Sequence, residues 1–127
     1  MEFLRKATVL HMHARGINQY GGLHGLRDDG GLESALMAAE NRLYYEDASL
    51  AVCAATYTFH LCQAHAFLDG NKRIAATAFD AFLRLNGAYL DATNAEVIDL
   101  IFQIASSDME RTEVETFFVD RIRYYPS

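Results

Sequence analysis

The 127-residue sequence has no tryptophan, one proline, two cysteines and no run of lysine or arginine. Its 11 lysines and arginines are outnumbered by 17 aspartates and glutamates, which leaves a net charge of −6. A general nucleic-acid-binding protein needs a basic face, so that class is disfavoured and no direct contact with nucleic acid is expected. The acidity reads as a solvated surface. If Cys53 and Cys62 share a helix, the rise per residue sets their Cα atoms roughly 13 Å apart. A disulfide needs less than about 7 Å. Both thiols are therefore expected to be free, buried and reduced, as in a cytoplasmic protein. The N-terminal MEFLRKATVLHMH has no continuous apolar stretch and does not read as a secretory signal. The most apolar run, Leu50 to Cys62, carries Thr56, Thr58 and His60 and is too short to span a bilayer. No membrane partner is expected.

With 51% of the residues hydrophobic, the chain can build a sizeable core. No repeat, low-complexity tract or long linker interrupts it, so residues 1–127 read as one domain. A first helix is expected from about Arg5 to Gln19, with Val9, Met12, His13 and Ile17 inward, ended by Gly21-Gly22. The stretch GGLHGLRDDGG, with five glycines in eleven residues, reads as a loop or short hairpin. Leu32, Ala35, Leu36, Ala39 and Leu43 follow helical spacing. From Ser49 to Ala64 the chain is apolar almost all round, the mark of a central helix surrounded by others. Ile74, Ala78, Phe82 and Leu85 continue a helical stripe that Asn86-Gly87 closes. Thr93 with Glu96 opens a helix carrying Val97, Ile98, Ile101 and Ile104. Thr112 with Glu115 opens another carrying Val114, Phe117, Phe118 and Ile122. Only Ala88 to Leu90 and the glycine loop look extended. The expectation is an all-α bundle of about six helices around Leu50–Ala64.

The candidate site is HAFLDGNKR, His65 to Arg73. Lys72 and Arg73 fall at the start of a helix, where the dipole repels cations by roughly 0.3–1 kcal/mol each. A polyphosphate bound there would turn that liability into two ligands. Gly70-Asn71 forms a turn, Asn71 is a good N-cap, and the backbone N–H groups beyond a cap make an anion site. Gly70 allows close approach of the backbone, and Asp69 offers a hard oxygen suited to Mg²⁺. His65 is the side chain suited to general-base work at neutral pH. Phe67, between polar neighbours, reads as the loop's anchor in the core. Against this stands an ordinary reading, in which Asp-Gly-Asn makes a plain turn and the histidine is structural. Base, acid, glycine, cap and two cations within nine residues favour the functional one.

The same nine residues resemble the signature of the Fic/Doc superfamily, whose Fic branch carries HxFx(D/E)GNGRxxR. Within it the chain is most similar to Doc (death-on-curing) proteins, toxins of Phd/Doc toxin–antitoxin pairs. GGLHGLRDDGGLESAL and LRLNG extend the resemblance over most of the chain. It implies an all-α fold, with His65 as the base on a target hydroxyl and Asp69 holding Mg²⁺. Gly70, Asn71, Lys72 and Arg73 would bind ATP phosphates, and Gly21–Gly31 would be a flap that aligns an extended target segment. Two departures bear on the chemistry. Lys72 stands at the second glycine of the Fic pattern and Ala76 at its second arginine. Doc proteins share the lysine, and the implied activity is transfer of the ATP γ-phosphate to a hydroxyl of elongation factor Tu, arresting translation. The nearest rival is AMP transfer, which His65, Asp69, Asn71 and Arg73 would serve equally. A metal hydrolase built on His11, His13, His60, His65 and Cys62 lacks the usual ligand spacings. A non-catalytic module that keeps the pocket as a scaffold is a further alternative. An inhibitory (S/T)xxxE(G/N) helix is not intact, because Leu36 stands four residues before Glu40-Asn41. Restraint by a separate antitoxin chain is therefore expected, with Tyr124-Tyr125 a candidate contact.

Overall fold

The structure, a computed structural model, describes residues 1–126; Ser127 lies outside the described residues. Its centre is α3 (Leu50–Ala64), opened by Ser49, whose side chain accepts the Val52 N–H. Leu50, Ala51, Cys53, Ala54, Tyr57, Leu61 and Cys62 are among its buried residues, spread around the whole helix. The alanines let neighbouring helices come close, and α2, α4, α5 and α6 all pack against it. Buried Thr56 and Thr58 need partners, and each hydroxyl donates back to the carbonyl four residues earlier, Val52 at 2.7 Å and Ala54 at 2.9 Å. Both cysteines are free and buried, and burial pushes the Cys53 thiol up to about 11 and the Cys62 thiol to about 12.

Around this core run α1 (Lys6–Tyr20), α2 (Asp29–Glu46), α4 (Asn71–Leu85), α5 (Asn94–Ala105) and α6 (Arg111–Arg121). The all-α expectation of six helices about Leu50–Ala64 holds among the described residues. Val9, His13 and Ile17 form the buried stripe of α1, while Met12 is only partly covered. The glycine loop is shorter than expected, because Gly30 and Gly31 belong to the first turn of α2. Asp28 is the reason: its carboxylate accepts the Gly31 N–H at 2.9 Å. A cap of this kind offsets roughly 1 kcal/mol of the glycines' helix penalty. A Cβ on Gly31 would lie only 2.5 Å from that carboxylate, so the cap needs glycine there.

The Thr93–Glu96 capping box on α5 is present in both directions, at 3.1 and 3.0 Å. Ile98, expected inward, is 57% exposed, and Leu100 takes an inward place beside Ile101 and Ile104. The second box is displaced. Helix α6 starts from Glu110, whose N–H donates to Glu113 at 3.1 Å, and Thr112 lies within the helix. Glu115 instead receives Arg42 at 2.5 Å across the bundle. After Gly87, at φ +78°, β1 (Ala88–Leu90) runs antiparallel to β2 (Ile122–Tyr124), with Tyr89 opposite Arg123. The second strand was not expected, because Ile122 reads as part of the α6 stripe. Tyr125 is tied down through its hydroxyl to Arg84 at 2.7 Å, whereas Tyr124 stays exposed. No helix among the described residues is long and apolar enough to cross a membrane.

Candidate active site

Helix α3 ends at His65, whose backbone is left-handed (φ +48°, ψ +43°) and whose side chain is exposed. That reversal sends the chain into Ala66 and Phe67, both buried. Phe67 does anchor the loop, lying flat on the His13 ring with centroids 3.7 Å apart. His13 is itself buried and its Nε2 donates to the Asp69 carbonyl at 2.7 Å. A residue 56 positions upstream thus fixes the turn.

Asn71 does not cap α4. Gly70 occupies the N-cap at φ +76°, where a Cβ would stand 3.2 Å from Ile17 Cδ1 and 3.4 Å from His13 Nε2. The Asn71 amide instead accepts the Phe67 N–H and donates to the Phe67 carbonyl, both at 3.0 Å, closing the loop on itself. Among the described residues, no side chain therefore caps the first turn of α4. The opening N–H groups of a helix lack intrahelical acceptors, so this end keeps its capacity for an anion.

His65, Asp69, Gly70, Asn71, Lys72 and Arg73 all line one open cleft of about 590 Å³. Its opposite wall is Ile98, Phe102 and Ala105 of α5, none of which the motif points to. Cys62 also borders it, but a thiol raised to about 12 stays protonated at neutral pH and is a poor nucleophile. The Asp69 carboxylate accepts Gly70 N–H at 3.0 Å through Oδ1 and Leu23 N–H at 3.1 Å through Oδ2. Four acceptor directions on a carboxylate leave room for a cation beside these two donors. Lys72 extends over the Phe102 ring, 5.5 Å from its centroid. The Arg73 guanidinium turns toward α1, donating to the carbonyls of Gly16 at 3.2 Å and Gly21 at 3.4 Å and lying 5.1 Å from the Tyr20 ring.

The loop 21–28 pairs with the site segment itself. Leu26 and Phe67 form an antiparallel bridge, Arg27 and Asp28 donate to the Ala66 carbonyl, and Leu68 donates to Gly25. At Gly22, a Cβ would approach Asp69 Oδ2 to 2.7 Å, so a side chain here would disturb the acid.

The sequence profile of the Fic/DOC family matches residues 3–83, which include α1 to the end of the site motif and most of α4. The chain belongs to the Fic/DOC family. It is 30% identical over 115 residues to the protein kinase doc of Escherichia phage P1, covering 90% of each chain. It is 35% identical over 115 residues to the toxin Doc of Mycolicibacterium smegmatis, covering 86% of this chain and 85% of that one. The Fic/DOC profile ends before α5, so the wall made by Ile98 and Phe102 lies outside it. The remaining histidines are dispersed. His60, half-buried, has its pKa lowered by burial and by Arg111 and Arg42. No three His, Cys, Asp or Glu side chains gather as a metal-binding group among the described residues. Mg²⁺ does not demand such a cage, since it is commonly held by one or two carboxylates with substrate phosphates and water. Asp69 fits that mode. Glu40, the end of the broken inhibitory motif, faces a groove with Phe3, Arg5 and Met37 and does not line the cleft.

Proposed function

We propose that this protein is the toxin of a toxin–antitoxin pair and acts as a phosphotransferase in the cytoplasm. It would move the γ-phosphate of ATP to a hydroxyl of a translation factor, elongation factor Tu being the expected target, and so arrest protein synthesis. The observation that carries the reading is the gathering of His65, Asp69 and the uncapped Gly70–Arg73 helix start in one cleft. The kinase and toxin names of the two Doc relatives support it.

In this reading the His65 imidazole, exposed at the reversal, takes the proton of the target hydroxyl. The freed oxygen forms a bond to the γ-phosphorus as the bond to the β-bridging oxygen breaks, and ADP leaves. Backbone N–H groups of the first turn of α4 and the Lys72 ammonium hold the phosphates. Charge stabilisation and positioning supply most of the acceleration in phosphoryl transfer, so this donor set suits the task. Mg²⁺ on Asp69 would neutralise phosphate charge. Arg73 would contribute its N–H to the anion site while its guanidinium braces the base of the loop. The pairing of Leu26 with Phe67 supports a role for the loop in presenting an extended target segment.

Purified protein incubated with a cell extract, Mg²⁺ and ATP labelled at either the α or the γ position tests this. Label from γ-ATP alone should appear on a protein the size of elongation factor Tu, with phosphate as the added mass. Label from α-ATP would instead make the protein an AMP transferase. No ATP-dependent label on any protein would leave a binding module. The broken inhibitory motif favours restraint by a separate antitoxin. Expression alone should arrest growth, and co-expression of a neighbouring reading frame should restore it and yield a co-purifying complex. Arrest that no neighbouring frame relieves would overturn the antitoxin assignment.

A further inference from the structure

The buried stripe of α1 is Val9, His13 and Ile17, and His13 is its polar member. The imidazole meets the site motif at three places. Its ring lies on Phe67, its Nε2 bonds the Asp69 carbonyl at 2.7 Å, and a Cβ on Gly70 would stand 3.4 Å from that same nitrogen. A carbonyl can only accept, so Nε2 carries the proton. Asn71 closes the base of the loop on Phe67, whereas the peptide between Asp69 and Gly70, at the tip, is gripped from α1. A trans peptide carries its C=O and N–H on opposite sides. With the carbonyl held toward His13, the Gly70 N–H points the other way and donates to Asp69 Oδ1 at 3.0 Å. Leu23 N–H holds Oδ2 at 3.1 Å. The imidazole thus orients the carboxylate through the peptide that joins them.

Gly70 makes that peptide easy to turn over. Its φ of +76° and ψ of +20° are close to the third position of a type II turn. Reversing the preceding peptide gives the matching position of a type I turn, at φ about −90°, which glycine adopts as readily. Backbone preference therefore does not choose between the two states. In the reversed state the Asp69 carbonyl oxygen would face its own carboxylate, acceptor against acceptor, and Oδ1 would lose its donor. The Gly70 N–H bond opposes that reversal, yet it competes with any cation for Oδ1. The His13 bond does not. Resting on the Mg²⁺–ATP reading above, we propose that His13 is a positioning residue for phosphoryl transfer. It locks the Asp69–Gly70 peptide in the orientation that fixes the Asp69 carboxylate at the cleft. The space between His13, Gly16 and Gly70 is about 10 Å³, at the lower limit for a water. Solvent does not replace a missing donor there.

Three variants separate the donor from the ring. His13→Gln keeps an N–H of similar reach, His13→Met has the length of glutamine without a donor, and His13→Phe keeps a ring on Phe67 without a donor. Residual dipolar couplings of the Gly70 N–H, measured without ligand, read the peptide orientation directly. Wild type and His13→Gln should share one coupling, and the Met and Phe variants should show a changed or averaged one. Calorimetry with tripolyphosphate and Mg²⁺ reads the consequence, as does the rate of γ-label transfer to extract protein at saturating ATP. The Met and Phe variants should lose about 10–100-fold in both, the usual effect of removing a group that orients a metal ligand. His13→Gln should recover most of that loss. A packing role alone predicts instead that activity follows melting temperature, whatever the donor. If His13→Gln falls as far as the other two, the proposal is overturned. Unchanged Gly70 couplings in folded Met or Phe variants would mean that the peptide holds itself, which also overturns it. If only one of these two folds, that one decides. Unfolding of both, with His13→Gln folded, would make the bond a folding contact and remove the positioning role. Failure of the wild type to bind either ATP or tripolyphosphate would end the nucleotide reading and the positioning role with it, whatever the couplings show of the lock.

Discussion

At the scale of single residues, the motif concentrates its chemistry because nine consecutive positions fold back around one turn. His65 shows how local conformation constrains a test of that chemistry. Its left-handed backbone strains most residues, alanine included, by roughly 1–2 kcal/mol, but asparagine tolerates it better. His65→Asn should therefore keep the melting temperature of the wild type more closely than His65→Ala. Both should lose about 10²–10⁴ in transfer rate, the usual contribution of a general base. Rates on γ-labelled ATP together with thermal melts check this; full activity in a folded His65→Asn variant would remove the imidazole from the reaction. The residues of HAFLDGNKR were legible because their types and spacing are unusual together. Asn71 was misassigned for a physical reason: one amide can cap a helix or close a loop, and here it binds both peptide groups of Phe67. His13 was legible only as a core position, since nothing in a helical stripe announces a hydrogen bond to a carbonyl 56 residues away.

At the scale of elements, periodicity identified the six helices of the described residues but left some boundaries and faces unresolved. Helix α5 is apolar on so many sides that Ile98 could be assigned inward, although the packed face runs through Leu100, Ile101 and Ile104. Two overlapping pairs competed for the start of α6, Glu110 with Glu113 and Thr112 with Glu115. The earlier one prevails, which frees Glu115 for Arg42. Both side chains of that pair are largely covered, at 14% and 15% exposure, and Arg42 also donates to Thr56. Glu115→Ala leaves a nearly buried guanidinium without its main partner. The cost should be about 2 kcal/mol, between the values for exposed and fully buried pairs. Thr112→Ala, which would remove a cap had the other box formed, should change stability by less than about 0.5 kcal/mol, as usual for an exposed site. Urea unfolding of the two variants separates the alternatives; a larger loss from Thr112→Ala would restore the later start. The ribbon of β1 and β2 escaped because three residues after a helix carry too little pattern to register as a strand.

At the scale of the whole molecule, the all-α architecture was legible because a continuously apolar helix must be surrounded by others. The α5 wall of the cleft was not, since it depends on how α4 and α5 dock. The bundle also joins titrating groups to stability. His60 lies half-buried beside Arg42 of α2 and Arg111 of α6, and burial with these two cations lowers its pKa below the ordinary 6.5. The unfolded chain therefore takes up a proton at a higher pH than the folded one. Stability is full above about pH 6.5 and falls as the pH drops from there toward the lowered folded value. Glu96, whose carboxylate is held down chiefly by its bonds to Thr93 at the head of α5, acts lower on the scale. Its contribution is present above its ordinary 4.5 and is lost as the pH falls through the lowered folded value. Acidification also shrinks the net charge of −6 toward zero near the isoelectric point of 5.2, which relieves self-repulsion and opposes both losses. The raw stability profile mixes these effects, so the difference between wild type and variant is the informative quantity. His60→Gln cannot titrate but keeps a polar side chain of similar reach. Urea midpoints at pH 7.5, 6.5 and 5.5 should show the wild type losing ground to His60→Gln at each acid step. Parallel profiles would mean that His60 takes up its proton equally in the folded and unfolded chains, and that burial, Arg111 and Arg42 together leave its titration unshifted.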